Sequence, residues 1–336
     1  MKQTPVTCEQ LSAWSLRYNQ SAERRLATLA LSKTALNDVA FVSRASFEMK
    51  QKFSLEIPTL DVTNQQASGR CWLFAATNVL REMARQGACE EAIQSEKQSM
   101  LADVYAFLCS CYTEPPKAFD FEYVDKDKAY HLEKGLTPLT FRDKYVGDLL
   151  KKTVSIIHAP TADKPYHQTY TVRLLGNVVG GKPVKHLNLT MDEFKAAIIA
   201  QMQAGKVVWF GSDVGKFGER ERGVWDDQCF DMELLTGLNL TISKADALDY
   251  GFSAMNHAMV LTGVQLEDGK PTRWKIENSW GDKNGSKGYY VCSDSWFDQY
   301  VYQAAVEKEY LGDLAALSEK EPVVLAPWDP MGTLAD

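Results

Sequence analysis

The sequence has no run of 18 apolar residues and no excess of basic residues. Without such a run, no transmembrane helix is predicted. With 37 basic against 44 acidic residues, the formal net charge of −7 offers no electrostatic surface for nucleic acid or for an anionic membrane. The first ten residues contain no apolar stretch after Lys2, so no signal peptide is predicted. We therefore expect a cytoplasmic protein that binds neither nucleic acid nor membrane.

Histidine is scarce, and the cysteines lack the spacings of a metal site or a disulfide framework. There are seven cysteines, an odd number, with no CxxC pair, and the five histidines never lie three to five residues apart. The glycine-rich stretch from Gly176 to Pro183 lacks the Gly-Lys-Ser/Thr of a phosphate-binding loop. No metal and no cofactor are predicted.

Hydrophobic periodicity places helices mainly in the first third of the chain. Residues 8–36 show a helical pattern, and an apolar helix runs from Cys71 to a stop at Gly87. A further helix is predicted over residues 90–108. Thr190 and Glu193 form a capping box ahead of another helix, which Gly205 ends.

The sequence of the last third of the chain predicts strands instead. Short apolar or alternating runs, several bounded by Gly, Asp or Ser, predict strands at residues 207–210, 258–264, 274–276 and 289–292. Residues 113–190, in contrast, are predicted to be irregular and loop-rich. This segregation indicates an α+β fold with an active site between the two halves.

Cys71 is the clearest candidate for a catalytic residue, because it begins a buried helix directly after a Ser-Gly turn. Backbone N–H groups at a helix N-terminus favour the thiolate that acyl transfer requires. The Cys71 N–H and the side-chain amide of Gln65 are candidate donors to an oxyanion. Taken alone, such a cysteine is usually an inert core residue.

Two residues later in the chain favour a catalytic role for Cys71. His257 stands at the head of an apolar strand, and Asn278 stands at the end of another, before a turn. A cysteine nucleophile needs an imidazole base and a group that holds the imidazole in its productive tautomer. The chain order Cys, His, Asn meets that need, although a lone strand histidine is more often structural.

Several motifs resemble the papain-like cysteine peptidases, specifically the aminopeptidase C/bleomycin hydrolase branch. The three around the candidate residues are TNQQASGRCW (63–72), MNHAMVLTG (255–263) and KIENSWGD (275–282). The others are FEYVDKDK (121–128), PTADKPY (160–166), VWFGSDVGK (208–216) and WDPMGTLAD (328–336).

The resemblance implies a papain-like fold, with a helical half carrying Cys71 and an antiparallel, β-barrel-like half carrying His257 and Asn278. It implies that Cys71 is the nucleophile, His257 the base and later the acid, Asn278 its orienting group and Gln65 part of the oxyanion hole. Trp280 would cover the His257–Asn278 hydrogen bond. A homohexamer that acts on peptides is also implied.

The resemblance gives the C-terminal tail a role in substrate binding. Thr333, Leu334, Ala335 and Asp336 would lie in the cleft, and the terminal carboxylate would bind the free amino group of a peptide. Cleavage would then release one residue at a time. The alternative is a frayed chain end, which is what most termini are.

The chain departs from the family pattern between the catalytic helix and the helix at 90–108. Asn78-Val79-Leu80-Arg81 runs directly into Glu82, which indicates an internal deletion at a Leu-Arg step. We expect this shortening to expose a face of the helix formed by Trp72, Leu73, Phe74 and Leu80. The parts predicted are residues 1–62 (N-terminal arm), 63–112 (catalytic-helix part), 113–206 (insertion and connections), 207–320 (β-rich part) and 321–336 (tail).

Three functions remain open from the sequence. The first is a cysteine aminopeptidase that needs no metal. The second is a catalytically impaired homologue that acts as a scaffold or binds peptides, for which the shortened segment argues. The third is another Cys-His-Asn acyl transferase such as an amidase, against which the WDPMG tail argues.

Overall fold

The structure, a computed structural model, describes residues 5–87, 118–124, 129–137, 152–176 and 183–335, together with Thr140 and Lys144. The α-helices in this part of the chain are α1 (Cys8–Gln20), α2 (Ala22–Leu31), α3 (Leu36–Ala40), α4 (Ser43–Ser46), α5 (Cys71–Gly87), α6 (Met191–Gln203), α7 (Met232–Thr236), α8 (Lys244–Asp249) and α9 (Asp294–Tyr300). Short 3-10 helices span Asp227–Cys229, Lys308–Glu319 and Pro330–Ala335.

The strands follow in three groups along the chain. The first are β1 (Leu55–Glu56), β2 (Phe119–Val124), β3 (Tyr130–Leu136), β4 (Thr153–Ile157), β5 (Thr169–Val172) and β6 (His186–Asn188). The next are β7 (Val208–Ser212), β8 (Gly218–Glu219), β9 (Val224–Trp225), β10 (His257–Glu267) and β11 (Lys270–Glu277). The last are β12 (Tyr289–Ser293), β13 (Val301–Glu307) and β14 (Val323–Leu325).

One mixed sheet organises the described residues. Its strand order is β14-β5-β6-β4-β13-β7-β10-β11-β12-β9-β8, and β1 pairs with β10. The centre, from β4 through β13, β7, β10 and β11 to β12, is antiparallel throughout. β2 and β3 form a separate hairpin. The predicted α+β class is confirmed, with helices α1–α5 preceding nearly all of the strands.

The helix signals read from the sequence correspond to real caps. The Thr190 hydroxyl accepts from the Glu193 N–H, and the Glu193 carboxylate accepts from the Thr190 N–H, which begins α6 as predicted. Thr7 and Gln10 make the same reciprocal pair at the start of α1. Neither α1 nor α2 has a buried residue.

The catalytic-helix candidate α5 packs against β10 and β7. Trp72 is 45% exposed, as the shortened segment predicts, and Leu73 and Leu80 are half-buried. Phe74 was predicted to be exposed as well, and this is wrong: Phe74 and its neighbour Ala75 are buried, because α5 lies on the sheet.

Residues 113–190 are less irregular than their sequence predicts. The hairpin β2–β3 and the strands β4, β5 and β6 all lie there, and β4–β6 belong to the main sheet. The last three strands have only three to five residues, too few for a clear sequence signal, and most of their side chains are buried. The helix predicted at 90–108 lies outside the described residues.

The main hydrophobic core lies between the sheet, α6 and α9. Fully buried side chains from these elements include Phe194, Ile198, Phe210, Val260, Trp274, Ile276 and Phe297. This core fixes β10 and β11, at whose ends His257 and Asn278 lie, and the neighbouring strand β7. Within the described residues, no helix is both long and apolar enough to cross a membrane.

Candidate active site

Cys71 is the first residue of α5 and follows a tight turn. Gln66 and Gly69 have positive φ angles of 51° and 66°, and the Ser68 N–H donates to the Gln65 carbonyl at 3.2 Å. The Arg70 carbonyl accepts the first helical hydrogen bonds. The predicted helix start is therefore confirmed. The thiol is buried at the N-terminal end of α5, where the first backbone N–H groups have no helical partner.

His257 and Asn278 lie at the same edge of the sheet. His257 is the first residue of β10, opposite Ser212 of β7, and Asn278 directly follows the last residue of β11. Because β10 and β11 are antiparallel neighbours, the start of one lies beside the end of the other. The His257 Nε2 and Asn278 Oδ1 atoms are 2.9 Å apart.

The hydrogen bonds of Asn278 determine the tautomer of His257. The Ser279 backbone N–H, which can only donate, lies 2.7 Å from Asn278 Oδ1, so this atom is the amide oxygen. An oxygen that accepts from His257 requires the proton on Nε2. In the neutral ring, Nδ1 is therefore the nitrogen that can take a proton.

The imidazole is neutral at physiological pH. Burial lowers the pKa of His257 to about 4, with a smaller contribution from the nearby Arg220 cation, while the hydrogen bond with Asn278 opposes the shift. A buried neutral imidazole with a free Nδ1 is suited to act as a general base toward a thiol.

Trp280 covers His257. The two rings are stacked with their centroids 4.7 Å apart and their planes inclined by 29°. Trp280 is held edge-on by Trp225 and Tyr290, at 6.2 and 5.9 Å between centroids. Trp280 therefore lies on the ring of His257 and contributes to the burial that lowers its pKa, while the predicted cover over the His257–Asn278 hydrogen bond stays a prediction.

The chain before Cys71 pairs with the chain after Asn278. The Gln65 N–H donates to the Ser279 carbonyl at 2.8 Å, and the Ser279 hydroxyl donates to Gln65 Oε1 at 2.9 Å. The Gly281 N–H donates to the Thr63 carbonyl at 3.0 Å. Gly281 has a φ of 74°, and a Cβ there would lie 2.9 Å from Asn64, so this close approach requires glycine.

This pairing brings the helix side and the strand side of the site together. The Trp209 indole N–H on β7 also donates to the carbonyl of Trp72 on α5, at 3.3 Å. The bond to Ser279 uses the carbonyl end of the Gln65 amide, which leaves the Nε2 end as a donor for an oxyanion. Sequence reasoning missed Ser279, whose backbone and hydroxyl bond to both Asn278 and Gln65.

The C-terminal tail is anchored by a buried ion pair. Lys164 Nζ lies 2.9 Å from Asp329 Oδ2, and the Lys164 side chain is 4% exposed. Met331 is buried in a cluster with Met255, which stands two residues before His257. Thr333, Leu334 and Ala335 belong to the final 3-10 helix, and Asp336 lies outside the described residues.

The described residues hold no group of three or more His, Cys, Asp or Glu arranged for a metal ion. Three cysteines in this part of the chain, Cys71, Cys229 and Cys292, are buried and free. Burial and Asp226 raise the pKa of Cys229 to about 12, and burial raises that of Cys292 strongly, so both are unreactive thiols.

A buried cysteine at a helix start and a His–Asn pair at a strand edge are the arrangement that the resemblance to papain-like peptidases implies. A sequence profile of the Peptidase C1-like family matches residues 5–85 and 78–332. The chain belongs to this family.

Relatives of known name agree with this assignment. Aminopeptidase C of Streptococcus thermophilus is 52% identical over 259 residues, which cover 76% of this chain and 58% of that protein. Aminopeptidase C of Listeria monocytogenes is 32% identical over 439 aligned positions, covering 99% of this chain and all of that protein. A crystal structure of PepW from Lactobacillus rhamnosis HN001 has a TM-score of 0.85 at 35% identity, covering 98% of this chain and 99% of that one.

The chain is shorter than these relatives. It spans 58% of the length of the first relative, and the Listeria alignment has 103 more positions than this chain has residues. The two parts of the family match overlap at residues 78–85, which include the Leu80–Arg81 step where the deletion is predicted. The break in the family match therefore falls at the predicted deletion, inside α5 and more than two helical turns beyond Cys71.

Proposed function

We propose that the protein is a cytoplasmic cysteine aminopeptidase that releases N-terminal residues from peptides through an acyl-enzyme. The observation that carries this proposal is the 2.9 Å bond from His257 Nε2–H to Asn278 Oδ1, because it leaves Nδ1 as the base. The names of the relatives, Aminopeptidase C, support the same activity.

The proposed acylation assigns one role to each residue. His257 Nδ1 takes the thiol proton, Cys71 Sγ attacks the substrate carbonyl, and the oxyanion accepts from the Cys71 N–H and Gln65 Nε2. The imidazolium then gives its proton to the leaving amine, and a thioester remains. In deacylation His257 removes a proton from water, which attacks the thioester and restores the thiol.

We further propose that residues Thr333 to Asp336 limit cleavage to one residue. A terminal carboxylate in the cleft would attract the substrate ammonium and exclude a longer chain. Two contacts support an ordered tail: the Lys164–Asp329 ion pair, and Met331 buried in one cluster with Met255. In each contact one partner, Asp329 or Met331, stands shortly before the tail residues Thr333 to Asp336.

A homohexamer is proposed from the family resemblance. Its support in this chain is the N-terminal arm, where α1 and α2 have no buried residue although Leu11, Trp14, Leu26 and Leu29 are apolar and exposed. Exposed apolar side chains of this number are typical of a surface that is covered in an assembly.

The second candidate is a catalytically impaired homologue that binds peptides. It rests on the missing positions inside α5 and on the exposure of Trp72, beside the nucleophile. Loss of one wall of the cleft would weaken substrate positioning even with all catalytic residues in place.

A pair of fluorogenic substrates tests these functions. Wild type and Cys71→Ala are assayed under reducing conditions with an aminoacyl amide bearing a free amino group and with its N-acetylated twin. We expect the wild type alone to cleave, and only the free form. Cleavage of both forms would support the proposed peptidase activity but refute the proposed role of the tail. Folded, reduced wild type that cleaves neither would refute the peptidase and favour the impaired homologue.

A further inference from the structure

Arg220 lies on the cover of the active site. It stands in the turn between β8 and β9, and its guanidinium carbon is 4.5 Å from the centre of the Trp280 ring. Because Trp280 in turn stacks on His257 at 4.7 Å, the guanidinium lies within about 10 Å of the imidazole. A guanidinium stacked on an indole keeps its edge of N–H donors available for an anion.

The charge of Arg220 is not neutralised by an ion pair in the described part of the chain. Two acidic residues, Glu219 and Glu221, flank it in sequence, and neither forms an ion pair with it in the described structure; the Glu219 carboxylate accepts instead from the backbone N–H groups of Glu221 and Arg222, at 3.3 and 2.7 Å. Arg222 is also engaged, since it donates to the Ser46 hydroxyl at 2.6 Å. Arg220 also acts on the Tyr290 hydroxyl: burial raises the pKa of this group, and the charge of Arg220 and a hydrogen bond from it oppose that rise. Because a guanidinium has five N–H donors, Arg220 can bind an anion in addition.

The chemistry of acylation determines which part of a peptide reaches Arg220. The general acid has to lie within hydrogen-bond distance, roughly 3 Å, of the leaving amine nitrogen. The residue that bears this nitrogen therefore lies beside His257 and against Trp280. A carboxylate on that residue is roughly 3–5 Å from its nitrogen, and a charge-assisted bond adds roughly 3 Å. The sum, roughly 9–11 Å, reaches the upper limit of about 10 Å on the distance between guanidinium and imidazole, so a carboxylate on this residue can reach Arg220.

We propose that Arg220 binds a carboxylate on the leaving residue of the substrate, so that peptides with an anionic leaving residue are preferred. The carboxylate is either the free C-terminus of a dipeptide or the side chain of Asp or Glu. This inference rests on the proposed peptidase activity. It goes beyond that activity in assigning a substrate class and a residue that selects it.

Two matched substrate pairs distinguish the two sources of the carboxylate. Leu-Gly is compared with Leu-Gly amide for the C-terminal carboxylate, and Leu-Asp amide with Leu-Asn amide for the side chain. The variants are Arg220→Gln, which removes the charge, and Arg220→Lys, which keeps the charge but not the planar donor edge. Arg17→Gln, an exposed arginine of α1, is the control.

For wild type and Arg17→Gln we expect kcat/KM to favour the carboxylate member of at least one pair by about 3- to 10-fold at 50 mM salt. The preference should shrink at 500 mM salt, because the partners are exposed. Arg220→Gln should abolish it, and Arg220→Lys should retain part of it. A wild type without preference in either pair, or an Arg220→Gln variant with the wild-type preference, would overturn the proposal.

A binding measurement keeps the proposal separate from the activity. Cys71→Ala protein, alone and combined with Arg220→Gln, is titrated calorimetrically with Leu-Gly and with Leu-Gly amide. Tighter binding of Leu-Gly that disappears with Arg220→Gln would support the carboxylate site even if the wild type cleaves nothing, which would refute only the peptidase. Equal binding of the two ligands, with preference absent from both kinetic pairs, would refute the site itself.

Discussion

The two sides of the candidate site are held in place by different forces. The strand side, which carries His257 and Asn278, is positioned by apolar packing: Met259, Val260 and Ile276 are almost completely buried in the main core. The helix side, which carries Cys71, contributes fewer side chains to that core, chiefly Cys71 and Ala75, and is attached in addition by polar contacts. Many apolar contacts therefore position the strand side, whereas the helix side depends more on individual polar bonds.

The strongest attachment of the helix side is a buried charge cluster, formed by Arg81, Glu82 and Glu277. Arg81 Nη2 lies 2.8 Å from Glu277 Oε1, Nε lies 2.8 Å from Glu82 Oε1, and Nη1 donates to the Asp61 carbonyl at 3.0 Å. The three side chains are at most 3% exposed. Glu277 directly precedes Asn278, so this cluster joins α5 to the residue that orients the imidazole.

The cluster lies where the chain has lost residues relative to its family. Arg81 and Glu82 fall within the overlap of the two parts of the family match, residues 78–85. Arg81 and Glu82, which directly follow the predicted deletion, thus bind each other, and Arg81 joins the helix to Glu277 on the sheet. The comparison teaches that charge contributes to holding the helix side in place, whereas apolar packing holds the strand side.

The largest effect is expected from Arg81→Met. It leaves two carboxylates buried without their cation, which costs about 3–5 kcal/mol of the free energy of unfolding. Urea denaturation would measure this loss, and the peptidase assay should show activity falling with it because Cys71 separates from His257. Arg17→Met on exposed α1 is the matched control and should stay within about 0.5 kcal/mol of wild type. Similar values for the two variants would mean that the cluster does not hold α5.

The pH dependence of stability next separates the charge cluster that joins the two sides from the buried histidines of the sheet. Burial raises the pKa of Glu277 to about 7, against the opposing effect of Arg81, whereas burial lowers the pKa of His257 and His186 to about 4. The contribution of Glu277 is thus complete below pH 4.5 and is lost as the pH rises through 7. The histidines act in the opposite direction: their contribution is present above pH 6.5 and lost as the pH falls toward 4.

The variant Glu277→Gln tests the prediction that the contribution of Glu277 to stability falls as the pH rises. Between pH 5 and 7 the stability of wild type relative to the variant should fall by roughly 1 kcal/mol per pH unit, since one pKa unit corresponds to about 1.4 kcal/mol. Urea denaturation at pH 5, 6, 7 and 8 measures it, with Glu48→Gln, an exposed carboxylate, as the control. A difference between wild type and Glu277→Gln that does not change with pH would show that Glu277 stays ionised beside Arg81.

The same contrast explains what the sequence could predict. The start of α5 at Cys71, the capping box at Thr190 and the strand positions of His257 and Asn278 follow from local signals: turn residues, cap residues and apolar runs. Family resemblance then joined these separate positions into one site. The short buried strands β4–β6 carry no periodic signal, and they were predicted as loops.

Contacts between residues distant in the chain could not be predicted from the sequence. Arg81 and Glu277 are 196 residues apart, and nothing in either neighbourhood indicates the other. The Lys164–Asp329 pair joins two motifs that the resemblance identified, but the motifs do not say that they meet. Arg220 has no local signal at all, because its position on Trp280 depends on how the turn between β8 and β9 folds over the sheet.

The smallest effect is expected on the strand side, from Ile276→Val. Ile276 is fully buried between Leu261 and Tyr290 on neighbouring strands, and loss of one methylene there costs about 1 kcal/mol. Activity should be nearly unchanged, because the surrounding core keeps the end of β11 in register. Ile242→Val, at a half-buried loop position, serves as the control and should cost less. If Ile276→Val reduced stability or activity as much as Arg81→Met does, the strand side would depend on single contacts as the helix side does, and the contrast between them would fail.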